Sequence, residues 1–138
     1  MVTSNPDILA AGDLTEFQGR VYGLWVPAKK QGKIAGQNAV GKAANFLGDP
    51  PSTRLKVLGV DVFSVGQFSP SEEGDRLVAE CKDGGYRSFL FREGKMIGSI
   101  LLGDAGIANN VKAAIEGERD FSSVLTDTVS VEQVVGAL

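Results

Sequence analysis

The chain has 138 residues, of which 43% are hydrophobic and 22% charged, and its net charge is -3. This length suits one ordinary domain, or one small domain with part of another. The slight negative charge, without a cluster of lysine or arginine, argues against a nucleic-acid partner. No apolar stretch reaches the roughly 18 residues that span a bilayer, and the first residues lack the pattern of a signal peptide.

The chain contains no histidine, which limits the kinds of catalytic and metal-binding site that it can form. This absence excludes Ser-His-Asp and Cys-His catalysis and histidine-based metal sites. The single cysteine, Cys81, excludes an internal disulfide framework and indicates a reducing, cytoplasmic environment. Cys81 alternates with apolar residues, which favours a half-buried strand thiol over a reactive one.

A short buried strand is predicted over Asp7–Ala11, and it ends at Gly12 and Asp13. Glycine lets a backbone approach another group closely. An aspartate at the carboxyl end of a strand lies where open α/β sheets bind their ligands. Further along, Pro27 predicts the first turn of a helix that runs from Trp25 to about Val40. Together these elements offer a carboxylate and a positive helix end, which suit a polar cofactor.

Glycines in and around this helix allow two interpretations. Gly32 and Gly36 lie on one helix face and each weakens the helix by about 1 kcal/mol relative to alanine, which predicts close approach of another backbone or a flat ligand. The run Gly36–Ala43 is close to a phosphate-binding loop, but it lies in a helix and has alanine at the Ser/Thr position. It is therefore interpreted as a helix end, and Gly103–Gly106 as a capped turn between strand and helix.

Two prolines within residues 48–52 mark the best candidate boundary, which separates a segment 1–48 from a C-terminal domain 49–138. Beyond it, alternating patterns and glycine turns predict strands at 55–58, 60–65, 76–82, 86–92 and 96–102. The first two are joined or bent at Gly59. The last three form an antiparallel meander. The hydrophobic face of the middle strand cannot be assigned from its alternation alone.

The tail is predicted to be helical. Asp104 is expected to cap a helix over Ala105–Glu116, with Gly117 just beyond its end, and residues 120–125 are expected to form a short helical turn. Ser130 and Gln133 match a capping box that opens a last helix through Ala137. The predicted fold class is therefore α+β: an antiparallel meander packed with C-terminal helices, preceded by a strand and a helix.

Three stretches in the first third of the chain form an ordered constellation. They are Asp7-Ile8-Leu9-Ala10-Ala11-Gly12-Asp13, then Gly19-Arg20-Val21-Tyr22-Gly23-Leu24-Trp25, then Pro27-Ala28 and Gln31-Gly32, with Ala35 and Asn38 further along. The constellation resembles the last part of the FAD-binding domain in the pyridine-nucleotide-disulfide oxidoreductase superfamily. The run Pro51–Gly66 resembles the start of the C-terminal domain in NADH:rubredoxin reductases and in the large subunit of NAD(P)H-nitrite reductases.

This resemblance implies roles for individual residues. Asp13 is implied to accept a hydrogen bond from a ribityl hydroxyl of FAD, and Gly12 to let the cofactor pass close to the backbone. The helix that opens at Trp25, Pro27 and Ala28 is implied to point its positive end at the pyrimidine side of the flavin.

The resemblance also implies a function for the whole protein. The chain is expected to be the last third of an FAD-dependent NAD(P)H oxidoreductase, which passes electrons through flavin to an acceptor protein such as rubredoxin or to a nitrite-reducing centre. The glycine fingerprint for the FAD pyrophosphate and the NAD(P)H-binding domain are absent from these 138 residues. The fragment alone is therefore expected to be inactive and without FAD, with those missing regions as its partners.

An alternative of a different class stays open. Residues 50–138 could form a docking or dimerisation module, to which the N-terminal segment is incidental. An apolar strand without a sheet partner is a liability, so this hypothesis predicts either disorder in residues 1–50 or a homodimer that exchanges this segment between two chains.

Overall fold

The structure is a computed structural model that describes all 138 residues. The chain divides into two compact units, Met1–Pro51 and Ser52–Leu138. The first unit contains helix α1. The elements in chain order are α1 (Trp25–Ala39), β1 (Ser52–Val57), β2 (Val60–Gly66), β3 (Arg76–Lys82), β4 (Gly85–Arg92), β5 (Lys95–Leu102), α2 (Ala108–Glu116) and α3 (Val131–Gly136). None of the helices has the length and apolar character that a bilayer crossing requires.

The second unit is a five-stranded antiparallel sheet with the strand order β1-β2-β5-β4-β3. Helix α2 packs on β5 and β2, and helix α3 packs on β3 and β4. Since successive strand residues alternate between faces, one face meets the helices and forms the core. That core contains Phe63, Val65, Val78, Phe89, Phe91, Met96, Leu101, Val111, Phe121 and Val134, among others. The predicted α+β fold, with its β3-β4-β5 meander and C-terminal helices, is confirmed.

Strands β1 and β2 are joined by a two-residue turn rather than bent. Leu58 and Gly59 both take positive φ angles, 52° and 82°. Such turns match the twist of paired strands. Leu58 lies at the tip of this hairpin and is 98% exposed.

The connection from β2 to β3, residues 67–75, crosses β5 and β4 on the sheet face away from the helices. The crossing is close, because a Cβ at Gly98 would lie 1.6 Å from the carbonyl oxygen of Gln67. The N–H of Gln67 donates to the carbonyl of Ile97 at 3.0 Å. At the far end, the Arg92 guanidinium holds the Asp75 carboxylate with distances of 2.8 and 2.9 Å. The sheet face away from the helices is termed the open face, and this crossover covers one end of it.

The predicted strand over Asp7–Ala11 is wrong. The only ladder contact of this segment is an isolated bridge between Val2 and Leu9, and Ile8 is 53% exposed. The cause is local: the Asp7 N–H donates to the Asn5 side chain and the Ile8 N–H to the Asn5 carbonyl, both at 3.0 Å. These bonds form a turn that folds the segment back on the first residues, and no neighbouring strand continues the ladder.

The predicted start of the second helix is also wrong. Helix α2 begins at Ala108, and its N-cap Ile107 makes no side-chain cap. The Asp104 carboxylate instead accepts the N–H of Gly106 at 2.8 Å, because an aspartate binds the backbone two residues on as readily as a helix end. At the other end Gly117 is the C-cap with φ -87°, and Glu118 takes the positive φ of 48°.

The structure also tests the predictions for residues 120–125, for the start of α3 and for Cys81. Residues 121–125 form one hydrogen-bonded turn, without continuing as a helix. The capping box of α3 is confirmed, since the Gln133 N–H donates to Ser130 Oγ at 3.2 Å and the Ser130 N–H donates to Gln133 Oε1 at 2.8 Å. Cys81 lies in a strand as predicted, but it is exposed rather than half-buried, because β3 is an edge strand and Cys81 belongs to the open face.

Candidate functional site

The turn at Gly12 and the first turn of α1 meet within the first unit. Gly12 has a φ of +86°, a conformation that L side chains rarely adopt. A Cβ on Gly12 would lie 3.6 Å from the Cβ of Ala28. Two of the site residues named from the sequence are therefore neighbours, although 16 positions separate them in the chain.

Asp13 follows this turn with its side chain in solvent. Its carboxylate forms no ion pair and accepts no hydrogen bond from another residue. A carboxylate in this state has all of its lone pairs available to hydroxyl donors. The residue can therefore accept hydrogen bonds from a polyhydroxy ligand.

Helix α1 begins at Trp25 as predicted and ends at Ala39 with Val40 as C-cap. Its N-cap, Leu24, has no side-chain cap, and the first turn carries no acidic residue. Pro27 has no N–H, and the Ala28 N–H donates to the Leu24 carbonyl at 3.1 Å. The N–H groups of Trp25 and Val26 are thus left without a protein acceptor, and this end of the helix carries partial positive charge.

Trp25 is 81% exposed and Pro27 is buried. The first turn of α1 therefore presents an indole ring to solvent beside its free N–H groups. Aromatic surface next to a positive helix end suits a flat ligand with negative character.

Two residues of the site were not predicted from the sequence. Gln31 lies on the buried side of α1 with 1% exposure, and its Oε1 accepts the Gly12 N–H at 2.7 Å. The Thr15 hydroxyl lies 2.7 Å from the Gly12 carbonyl and 2.9 Å from Gln31 Oε1. The Nε2 of Gln31 is buried and has no hydrogen-bond partner. The sequence did offer one indication of Gln31: it is a polar residue four positions after Pro27 and therefore lies on the same helix face.

The helix glycines do not make the predicted backbone contact. A Cβ on Gly32 or Gly36 would meet no atom within 4 Å. No backbone of this chain approaches them, and both glycines are exposed. Approach of a flat ligand to this face stays a prediction.

The segment after α1 is held by an ion pair to the helix and by contacts with residues that precede the helix. Lys30 Nζ lies 2.6 Å from the Asp49 carboxylate, and the Asp49 N–H donates to Tyr22 Oη at 3.0 Å. The Phe46 ring packs edge-on against Phe17 and Tyr22, with centroids 5.0 and 5.7 Å apart. These contacts give the first unit a small interior of its own.

The second unit offers no comparable site. A cavity of about 420 Å³ lies beside the β3–β4 turn, but both of its cationic side chains are already paired: Arg87 with Asp104 at 3.2 Å and Lys82 with Glu132 at 3.5 Å. No cluster of three or more histidine, cysteine, aspartate or glutamate side chains in the chain could hold a metal ion. The candidate site is therefore the one at Gly12 and Asp13.

Comparison with known proteins gives a family match in the second half of the chain. The family described as rubredoxin NAD+ reductase C-terminal domain matches residues 51–119, which is 69 of the 138 residues. The chain is 36% identical over 135 residues to "Nitrite reductase [NAD(P)H]" of Bacillus subtilis, with 96% of this chain and 16% of that protein covered. It is 32% identical over 124 residues to "NADH-rubredoxin oxidoreductase" of Clostridium acetobutylicum, with 90% of this chain and 32% of that protein covered.

Solved structures agree with this match. A crystal structure of NADH:rubredoxin oxidoreductase from Clostridium acetobutylicum superposes with a TM-score of 0.71 at 28% identity, covering 93% of this chain and 32% of that one. An FAD-dependent pyridine nucleotide-disulphide oxidoreductase from Desulfovibrio vulgaris has the same fold, with a TM-score of 0.70 at 19% identity over 97% of this chain and 39% of that one. The predicted resemblance is confirmed. The chain spans 16% to 32% of the length of the curated relatives described above.

Proposed function

The chain belongs to the rubredoxin NAD+ reductase C-terminal domain family, and from this membership we propose that it is the C-terminal part of an FAD-dependent NAD(P)H oxidoreductase. The whole enzyme passes electrons from NAD(P)H through flavin to an acceptor, such as rubredoxin or a nitrite-reducing centre. The names of the relatives from Clostridium acetobutylicum and Bacillus subtilis support both acceptors. In this proposal, residues 1–48 are the end of the FAD-binding domain and residues 49–138 are the C-terminal domain.

The observation that carries the proposal is the contact between the Gly12 turn and the first turn of α1. It brings the turn that precedes the unpaired Asp13 next to Ala28, in the first turn of a helix whose N–H groups at Trp25 and Val26 are free. These features fit FAD from two sides, because its ribityl chain carries hydroxyl donors and its reduced ring carries negative charge.

Each residue has a role in holding the cofactor. Asp13 accepts a ribityl hydroxyl, and Gly12 keeps the backbone in a conformation that a side chain would strain. Trp25, Pro27 and Ala28 form the helix end that faces the pyrimidine side of the ring. When bound, FAD would supply the hydride-accepting and electron-passing chemistry; the chain's own residues bind and orient it.

The 138 residues alone bind FAD weakly and do not oxidise NAD(P)H. The site described here offers one carboxylate and one helix end, and it contains no glycine loop for a pyrophosphate. Gel filtration of the chain with added FAD tests this, and the expected result is protein that elutes without flavin absorbance. Stoichiometric flavin in the protein peak would contradict it.

A chimera tests the residue assignment. The aligned segment of the Clostridium acetobutylicum enzyme is replaced by this chain, and FAD content is measured after purification with and without Asp13→Ala. The matched control is Asp7→Ala, since Asp7 is another exposed carboxylate near the turn. Loss of FAD only with Asp13→Ala supports the proposal, and equal FAD content in all three proteins overturns the role of Asp13.

A second candidate function, a docking or dimerisation module, is favoured by the apolar surface of the β1–β2 hairpin. On the open face Leu55, Val57 and Val60 are 53%, 48% and 43% exposed, beside the fully exposed Leu58. The occupant proposed is a second copy of this chain, held by exchange of the N-terminal segment. Light scattering of the whole chain and of a variant without residues 1–48 tests this: a monomer in both contradicts dimerisation, and a dimer only in the whole chain supports exchange.

A further inference from the structure

We propose that Gln31 is a positioning residue that holds the Gly12–Asp13 turn in register with the start of α1, so that both can contact one ligand. The inference rests on the proposed function for its ligand, FAD. It adds Gln31 to the residues of the candidate site.

The hydrogen bonds around Gly12 place Gln31 at the centre of the site. A backbone N–H can only donate, so the atom of Gln31 that lies 2.7 Å from the Gly12 nitrogen must be Oε1. The Gly12 carbonyl is held by Thr15, whose N–H donates to it at 2.9 Å and whose hydroxyl lies 2.7 Å away. Both backbone polar groups of Gly12 are therefore fixed, and with them the direction in which the next residue, Asp13, leaves the turn.

The link runs between two separate parts of the first unit. Gln31 belongs to α1 one turn after Pro27, whereas Gly12 precedes the first residue of the helix by thirteen positions. A shift of the helix along its axis would break the bond to Gly12. Gln31 thereby couples the position of the helix end to the position of the Asp13 carboxylate.

The Nε2 atom of Gln31 indicates that this side chain does not serve mainly to stabilise the fold. Nε2 is buried without an acceptor, and an unsatisfied buried donor costs about as much as one satisfied hydrogen bond contributes. A methionine of similar shape would fill the same space without this cost, but it would leave the Gly12 N–H without its acceptor, so the two effects on stability largely offset each other. A residue that fixes geometry without a net gain in stability is characteristic of a binding site.

The test uses the full 138-residue chain labelled with 15N. Two quantities are measured: the hydrogen-exchange rate of the Gly12 N–H, and the shift of the Trp25 indole N–H on titration with FAD, which is unambiguous because the chain has one tryptophan. Gln31→Met removes the acceptor, Gln31→Glu keeps an acceptor without the idle donor, and Gln37→Met makes the same change on the same helix at a side chain without hydrogen bonds. Asp13→Asn alters the proposed FAD ligand without touching Gln31.

The expected results separate the inference from the proposed function. Gln31→Met speeds Gly12 exchange by about tenfold, raises the FAD concentration needed for half of the Trp25 shift at least about threefold, and changes the melting temperature by less than about 3 °C. Gln31→Glu restores both, and Gln37→Met changes neither. Asp13→Asn weakens the FAD shift and leaves Gly12 exchange unchanged.

Three outcomes count against these statements. Unchanged Gly12 exchange in Gln31→Met overturns the inference, whatever FAD does. Faster exchange with an unchanged FAD titration reduces Gln31 to a structural residue and also overturns it. No Trp25 shift in the parent chain, or none that depends on Asp13, overturns the assignment of the FAD contacts to Asp13 and the start of α1 instead. Should Gln31→Met fail to fold, Thr15→Val tests the same hold on Gly12 from the other side and must also speed its exchange.

Discussion

Substitution of Gly98 by alanine tests the crossover of residues 67–75 over the sheet. The added Cβ would lie 1.6 Å from the Gln67 carbonyl oxygen and 2.6 Å from both the nitrogen and the carbonyl carbon of that residue. An ordinary carbon–oxygen contact is about 3.5 Å, so the 67–75 connection must move by about 2 Å at Gln67. All three atoms belong to a backbone, which cannot rotate away as the end of a side chain can.

The cost follows from what that movement breaks. Overpacking of a well-filled site costs about 1–3 kcal/mol, and loss of the bond from the Gln67 N–H to Ile97 adds about 1 kcal/mol. The total of about 3 kcal/mol is a large part of the 5–15 kcal/mol that typical domains possess. With an m-value of about 2 kcal/mol/M, the urea midpoint of the second unit should fall by about 1.5 M.

The assay is urea unfolding followed by far-UV circular dichroism, with Trp25 fluorescence as a separate report on the first unit. Gly32→Ala is the control of opposite sign, because its Cβ would meet nothing within 4 Å and alanine favours a helix by about 1 kcal/mol over glycine. A Gly98→Ala midpoint within about 0.3 M of the parent would refute the close crossing of the 67–75 connection.

Three further predictions concern single side chains of the second unit. Ser99→Ala should raise the melting temperature by about 3 °C, since the Ser99 hydroxyl is buried without a partner and its removal relieves about 1 kcal/mol; a lower melting temperature contradicts this. The Arg92 guanidinium lowers the pKa of Asp75 far below its usual value, so the stabilisation is complete above about pH 5 and is lost as the pH falls further. The parent must therefore lose stability more steeply between about pH 5 and 2 than Asp75→Asn does. Ser130→Ala should lower the free energy of unfolding by about 1 kcal/mol through loss of the α3 cap, whereas the exposed Ser123→Ala should change it by less than about 0.5 kcal/mol.

The strands of the second unit could be predicted because their signals are local. Asp83-Gly84 and Glu93-Gly94 form two-residue turns with positive φ at each position, and such pairs mark hairpins in a sequence. The placement of β5 between β2 and β4 could not be predicted in the same way. It depends on pairing between residues about 35 positions apart. It also depends on Gly66 and Gly98, where a side chain would clash with the backbone at Ile97 or Gln67 once the 67–75 connection crosses the sheet.

The candidate site shows the same division between local and distant information. The start of α1 was predictable from Pro27, and Gly12 with Asp13 from their order in the chain. The buried strand before them was wrongly predicted, because an apolar run becomes a strand only where a neighbour completes its ladder. Gln31 was missed because its partner lies 19 residues away, and sequence periodicity describes only which face of a helix a residue occupies.

Polar groups without hydrogen-bond partners occur in two places in this chain: at the candidate site and in the core of the second unit. The Gln31 Nε2 is buried beside the Gly12 turn, on the same side chain whose Oε1 holds the Gly12 N–H, and the free N–H groups at the start of α1 face solvent near that turn. The Ser99 hydroxyl is buried in β5 between the core residues Val65 and Phe89, where no ligand can reach it. Removal of Ser99 Oγ should therefore only stabilise the protein, whereas removal of the Gln31 amide should leave stability nearly unchanged and weaken FAD binding. If both changes behaved alike, the idle donor of Gln31 would be a packing defect rather than part of a site.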